Sequence, residues 1–303
     1  MQPGADAVGG VCEHVRMPES PEVQALAEEL GARLTGRALT GVDVVEFRIE
    51  KTRARPPESL VGERVTGVAR HGKLVDLVFG SAGHLVVSLG RHGWARWAAT
   101  ADGSKASGVE SGDPPPPTLA TLSFGDADDV ELTDAGDWVS LGVWVVDDPR
   151  EVPAVAKLGP DPADPAFSRA EFDAAVVGRR KQSKAILQEQ ESLAGIGNAY
   201  SDEILHVAKA SPVAHAASLD ARALDALYAA TVGVVRGAVD ARRGVPIDRL
   251  KAEKVAAMRV HGRAGEPCPV CGDEVREFSF ASTTAEYCPT CQTGGELLPL
   301  RPA

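Results

Sequence analysis

The sequence predicts an α+β protein of several domains. Three observations carry that class. An amphipathic helix near the start gives way to short strands, the second half is helical around a glycine-rich turn, and the chain closes on two Cys-x-x-Cys pairs. The 303 residues suffice for two or three domains with a sizeable core. Apolar residues make up 44% and charged residues 25%, the balance of a globular chain rather than a disordered one. No apolar run approaches the roughly 20 residues of a bilayer span, and MQPGADAVGGVCEHVR lacks the charged start and apolar core of a secretory signal. A cytoplasmic monomer is expected.

Taken in order, the first element is a helix. Val23, Leu26, Ala27, Leu30 and Leu34 recur at helical spacing, Ser20 can cap, Pro21 suits the first helical position, and Gly36 and Gly41 end the run. From Ala38 to about Val146 the pattern becomes that of strands. Leu74 to Phe79 alternates, and Leu85–Leu89, Leu119–Phe124 and Val143–Val146 are short apolar runs, which suit an antiparallel sandwich or barrel. ADGSKASGVESGDPPPP, 101–117, cannot build a core and reads as a surface loop. LGPDPADP, 158–165, reads as a linker. Beyond it, Ser168 and Glu171 form a capping-box pattern and Lys184–Gln190 fits a helix. Gly195-Ile196-Gly197-Asn198 is a tight turn, followed by helices at Ala199–Val207 and from Ser218 to about Val239.

Charge distribution says more than the net charge of −11. Nine acids and one base between Asp102 and Asp137 supply most of the excess, whereas Arg242–Arg263 holds seven bases against two acids. Arg179, Arg180, Lys181 and Lys184 form a second basic cluster, so a basic face on an acidic protein is expected. The last segment carries the most specific local signal. Cys268 and Cys271 are followed, after 16 residues, by Cys288 and Cys291. Two such knuckles suit four thiolates around one tetrahedral, structural Zn2+, with a hairpin from Val275–Phe280 and Ala285–Tyr287 between them.

Four motifs in order resemble the formamidopyrimidine-DNA glycosylase / endonuclease VIII (Fpg/Nei) family of base-excision repair enzymes, as a divergent bacterial member. They are MPESPEV from Met17, RHGK ending at Lys73, LQEQESLAGIGNAYSDEIL from Leu187, and VHGRAGEPCPVCG leading into YCPTCQ. The resemblance spans about Met17 to Gln292. It implies an N-terminal helix plus antiparallel β-sandwich catalytic domain at 18–150, and a linker at 151–165. A helical helix–two-turn–helix DNA-binding domain follows at 166–262, then a four-cysteine zinc ribbon at 263–292 and a tail at 293–303. It further implies a bifunctional DNA glycosylase and abasic-site lyase that binds damaged double-stranded DNA in association with the nucleoid. Pro18 would be the amine nucleophile at the sugar C1′, Glu19 the acid/base and Lys73 the contact to the lesion-site phosphate. Lys184, Asn198 and Arg263 would grip the backbone.

The sequence departs from the family pattern in ways that matter chemically. Pro18 is preceded by seventeen residues, so its nitrogen is a tertiary amide without a basic lone pair. The expectation is that 1–17 is absent from the mature protein, through initiation at Met17 and loss of that Met. Where the family fills the gap left by a flipped base, this chain places Arg91 and Trp138, and Asp137 stands where an arginine is usual. The zinc-finger arginine is replaced near Thr283, which implies mainly β-elimination. The alternative function is a catalytically weakened or inactive DNA-damage-binding protein that retains the fold. A zinc-ribbon scaffold would leave MPESPEV without a role.

Overall fold

A computed structural model describes residues 18–98, 115–280 and 283–298. The expected extension at 1–17 and most of the expected loop at 101–117 lie outside the described residues.

Helix α1 spans Ser20–Leu34. Its cap differs from the expectation: Ser20 is already helical and Glu19 is the N-cap residue, because the Glu22 carboxylate reaches back 3.2 Å to accept from the Glu19 amide. The Glu19 side chain is thereby left for another partner. Val23, Leu26, Leu30 and Leu34 are buried in the main core.

The strands form a sandwich rather than a closed barrel. One four-stranded sheet runs β1 (Gly41–Val44), β6 (Thr118–Ser123), β7 (Val130–Asp134), β5 (Gly93–Trp97). The other runs β2 (Gly67–His71), β3 (Leu74–Val78), β4 (His84–Ser88), β8 (Gly142–Val146). All these pairings are antiparallel. Val75 and Leu77 face the core shared with α1, while Leu74 turns outward beneath α2 (Pro153–Ala156) with Val86, Val146 and Val155. In β2 and β3, His71 sits opposite Leu74, so Gly72 and Lys73 form a two-residue turn. Arg70 fixes that turn, donating to the Gly72 carbonyl at 2.7 Å, to Asp161 at 2.6 Å and to Gln24 at 2.8 Å.

The helical part comprises α3 (Arg169–Val176), α4 (Ser183–Leu187), α5 (Asn198–Ala208) and α6 (Ala221–Arg242) around Phe172, Leu187, Ile196, Tyr200, Leu205 and Leu227. A further helix, α7 (Leu250–Ala257), has no counterpart in the sequence expectation, which read this stretch as a basic cluster. Before it the chain returns to the sandwich. Ile247 and Leu250 join the α1 core, the Trp94 indole donates to the Ile247 carbonyl at 3.0 Å, and the Ile247 amide donates to Glu29 at 2.9 Å. The ribbon is the antiparallel hairpin β9 (Arg276–Phe280) and β10 (Thr283–Tyr287), followed by α8 (Pro289–Gln292). Among the described residues no helix is long and apolar enough to cross a membrane.

Candidate active site and its DNA-facing edge

Glu19 sits where the start of the chain meets segments from its middle and last thirds. Its carboxylate accepts from the backbone N–H groups of Gly197 and, at 2.9 Å, Ala199, at the start of α5. Exposed amides and the positive end of the helix make that point an anion seat. The turn is shaped to deliver these groups. Gln190 ties it internally, donating to the Ile196 carbonyl at 2.7 Å and accepting from the Gly195 amide at 2.9 Å. The Ser20 amide closes it onto α1 by donating to the Gly195 carbonyl at 2.9 Å. Two glycines are required here by space. A Cβ on Gly195, whose φ is +86°, would lie 2.5 Å from the Ser20 Cβ; one on Gly197 would lie 2.6 Å from the Glu19 carboxyl carbon and 2.7 Å from the Lys73 ammonium.

Lys73 is half-buried at the tip of its turn and lines a cleft of about 370 Å³ with Ser88, Gly90, Leu158, Gln190 and Glu191. Burial, reinforced by the neighbouring charge of Lys254, lowers its pKa despite the opposing pull of Glu19 and Glu22. Behind Glu19 lies a closed charge knot. Lys254 of α7 is 2% exposed, with its ammonium 3.4 Å from Glu19 and 3.6 Å from Glu22. Glu22 also accepts from the Tyr200 hydroxyl at 2.7 Å and lies 3.7 Å from Arg242. For Glu19, burial alone would raise the pKa. The charges of Lys254, Lys73 and His261, with the Gly197 amide, outweigh it and hold the carboxyl below the ordinary glutamate value. Pro18, immediately before Glu19, is buried.

Sequence reasoning missed this knot. Lys254 and Arg242 were counted as surface charge, yet both are buried. One signal was available: Leu250, Lys254 and Met258 share a face at four-residue spacing, and a lysine on an apolar stripe needs a buried partner.

The residues expected at the DNA-facing edge fall into two groups. Arg91 and Trp138 are exposed, Trp138 at 82%, on loops that are docked together. The Ser140 hydroxyl accepts from the Arg91 amide at 2.9 Å, while buried Asp134 accepts from the Gly136 amide at 2.9 Å and the Ser140 amide at 2.8 Å. Asn198 is the first residue of α5, its side-chain oxygen accepting from Gln188 at 2.9 Å.

Lys184 is not on a surface. It is 0% exposed, and its ammonium contacts Asp202, the Ser201 hydroxyl at 3.0 Å and the Asn198 carbonyl at 3.2 Å. Its charge is used inside the fold, where Asp202 also meets His261 at 2.8 Å. Arg263 pairs with Glu266 at 2.7 Å. The basic stretch is further reduced by pairs from Arg243 to Glu28 and from Arg249 to Glu253, and Arg179 and Lys181 share Glu189. The basic face expected from residue counts is therefore interrupted by local acids.

Cys268, Cys271, Cys288 and Cys291 converge, with all four sulfurs within 4.8 Å of one another. The contacts of 3.9 Å for Cys268–Cys291 and 3.3 Å for Cys271–Cys288 bracket the about 3.8 Å spacing of tetrahedral zinc thiolates. The four side chains fit a structural Zn2+ as expected. His206 of α5 approaches the Cys268 sulfur at 3.3 Å, joining the ribbon to the helix that seats Glu19.

Comparison with known proteins assigns these parts. Residues 17–137 match the formamidopyrimidine-DNA glycosylase N-terminal domain, 158–247 the formamidopyrimidine-DNA glycosylase H2TH domain, and 265–294 the zinc finger found in FPG and IleRS. A formamidopyrimidine-DNA glycosylase of Mycobacterium bovis is 33% identical over 300 residues, covering 91% of this chain and 98% of that one. The chain belongs to the Fpg/Nei family. MutM (Fpg) of Thermus thermophilus superposes with a TM-score of 0.74 at 28% identity, covering 91% of this chain and 98% of that one. Lactococcus lactis Fpg, non-covalently bound to DNA containing an AP site, superposes with a TM-score of 0.75 at 23% identity, covering 91% and 99%. The family assignment makes this a base-excision repair enzyme by descent, and both halves of the Glu19 seat lie within matched domains.

Proposed function

We propose that the protein is a bifunctional DNA glycosylase and abasic-site lyase that acts as a monomer on damaged double-stranded DNA, with Pro18 as nucleophile once its nitrogen is a free secondary amine. The observation that carries this reading is the seating of Glu19, the residue next to Pro18, on two backbone N–H groups with the Lys73 ammonium beside it. A proline amine that attacks C1′ forms an iminium, which cannot shed a proton to become a neutral imine and so remains an electron sink. Glu19 moves protons at the sugar, and Lys73, in the cleft, meets the phosphate. The target nucleotide must leave the base stack to reach these groups, and Arg91 and Trp138, both exposed, would fill the gap. The Lactococcus complex with an AP site on the same fold supports the substrate class.

The test is reductive trapping. Protein with a mass-verified Pro18 amino terminus is incubated with abasic duplex and sodium borohydride. A covalent adduct on the N-terminal peptide, greatly reduced in Glu19→Gln, is the expected result. Protein that retains Met1–Met17 should give no adduct at Pro18. The amide at Pro18 favours a second reading, a DNA-damage-binding protein without catalysis; binding of abasic duplex by the Pro18 form with no adduct would establish it.

A further inference from the structure

We infer that His206 is a positioning residue of the metal centre: its ring Nε2–H donates to the Cys268 thiolate and holds that sulfur to the zinc. The inference rests on the fit of the four cysteines to a structural Zn2+ and stands apart from the lyase reading. Four thiolates around one divalent cation carry net negative charge, and hydrogen-bond donors outside the ligand set must share it. Cys271 is exposed and Cys291 partly so, within reach of water. Cys268 is 3% exposed. Its sulfur faces two protein donors instead, the Val270 amide of its own knuckle at 3.5 Å and His206 Nε2 at 3.3 Å. The other buried sulfur, that of Cys288, draws on the Cys291 amide within the ribbon. Among the described residues, His206 is the one side chain other than the cysteines that reaches a sulfur of the cluster.

Chemistry fixes which atom donates. A metal-bound thiolate carries no proton, so in this pair only Nε2 can give one. The ring's other nitrogen agrees with that choice. Nδ1 is buried and has no hydrogen-bond partner among the described residues. With the proton on Nε2, the orphan is a lone pair. With the proton on Nδ1, the orphan is a buried N–H, and a lone pair on Nε2 faces the negative sulfur as well. A phenyl ring would fill much the same space with no orphan atom, so the polar asset of an imidazole here is its contact to sulfur.

His206 lies near the end of α5, the helix whose first residues seat Glu19. Backbone-directed bonds already join this helix to the ribbon. Glu203 accepts from the Arg259, Val260 and His261 amides at 2.9–3.0 Å, and Gln292 donates to the Ala210 carbonyl at 3.0 Å. What His206 adds is a partner for the charge on Cys268, and its effect is read first in how firmly zinc is kept.

The full chain, loaded with zinc and carrying isotope-labelled histidine, tests the donor directly. Ring-nitrogen NMR shifts should show His206 protonated at Nε2; an unprotonated Nε2 overturns the inference, whatever any variant does. Transfer of zinc to a colorimetric chelator tests the consequence. Losing the outer partner of a metal ligand typically costs 10–100-fold, so His206→Phe should hold zinc about tenfold more weakly or worse and release it correspondingly faster. His206→Gln, whose amide N–H extends to the same region, should recover most of that loss. With Co2+ in place of zinc, the sulfur-to-metal charge-transfer band of His206→Phe should move to lower energy, because a thiolate without its hydrogen bond gives up charge more readily. His206→Gln should keep the band near its wild-type position. Folded His206→Phe with the wild-type release rate and band overturns the inference. So does a His206→Gln that loses zinc as fast as His206→Phe, which would make ring packing, not the N–H, the operative feature.

Discussion

The seat of Glu19 and the edge formed by the Arg91 and Trp138 loops are built on opposite principles. At the seat, Glu19, Glu22 and Lys254 are buried and held by fixed partners, and the geometry does not wait for a ligand. At the edge, the backbone is pinned by Asp134 and Ser140 while the side chains that would meet DNA stand in solvent. Preorganised groups stabilise developing charge without reorganising during the reaction. Exposed aromatic and cationic side chains gain their partners only on binding. Glu19 therefore sits where change is structurally costly, whereas Arg91, Asp137 and Trp138 sit on exposed loops where change is cheap.

Three perturbations test this contrast, in descending order of expected effect. Chelation of zinc should be largest. Structural zinc carries folding free energy, so a strong chelator should melt the ribbon. Because His206 and the Gln292 contact to the Ala210 carbonyl, at 3.0 Å, tie the ribbon to α5, the Glu19 seat should loosen with it. Calorimetry should show a separate low-temperature transition, and abasic cleavage should fall with zinc content; cleavage unaffected by complete zinc loss would uncouple the two. Next is Gly197→Ala. The added methyl has no room beside Glu19 and Lys73, which should cost about 1–3 kcal/mol of stability by overpacking and, through displaced groups, about 100-fold in cleavage. Thermal melts and single-turnover assays read both. Trp138→Ala should be smallest in stability, within about 0.5 kcal/mol, since the side chain is exposed. Its affinity for abasic duplex should still fall by about 1–3 kcal/mol, the worth of one stacking contact. A stability loss without an affinity loss would place Trp138 on the structural side of the divide.

Legibility in the sequence followed the same line. MPESPEV and the RHGK turn were readable through the family resemblance, and the cysteine pairs through their own spacing. β2 and β5 were not, since GVARH is half-buried throughout and GWARW mixes two small, one charged and two large residues in five positions. Lys254, Tyr200 and Arg242 were invisible for a stronger reason. Whether a charge is solvated or buried depends on partners far along the chain, here Glu19 and Glu22. Lys184 shows the converse error. Counting basic residues found the cluster, but only the fold reveals that Asp202, on the next helix, takes its ammonium.

The return of the chain at Ile247 and Leu250 bears on synthesis. These two side chains complete a core that begins at Val23, more than two hundred positions earlier. A ribosome that has finished only the sandwich has made a domain with an open seam, and the Trp94 indole and Glu29 carboxylate still await their partners at Ile247. Such late closure makes the fold rich in distant pairings, which slows assembly and leaves apolar surface uncovered during translation.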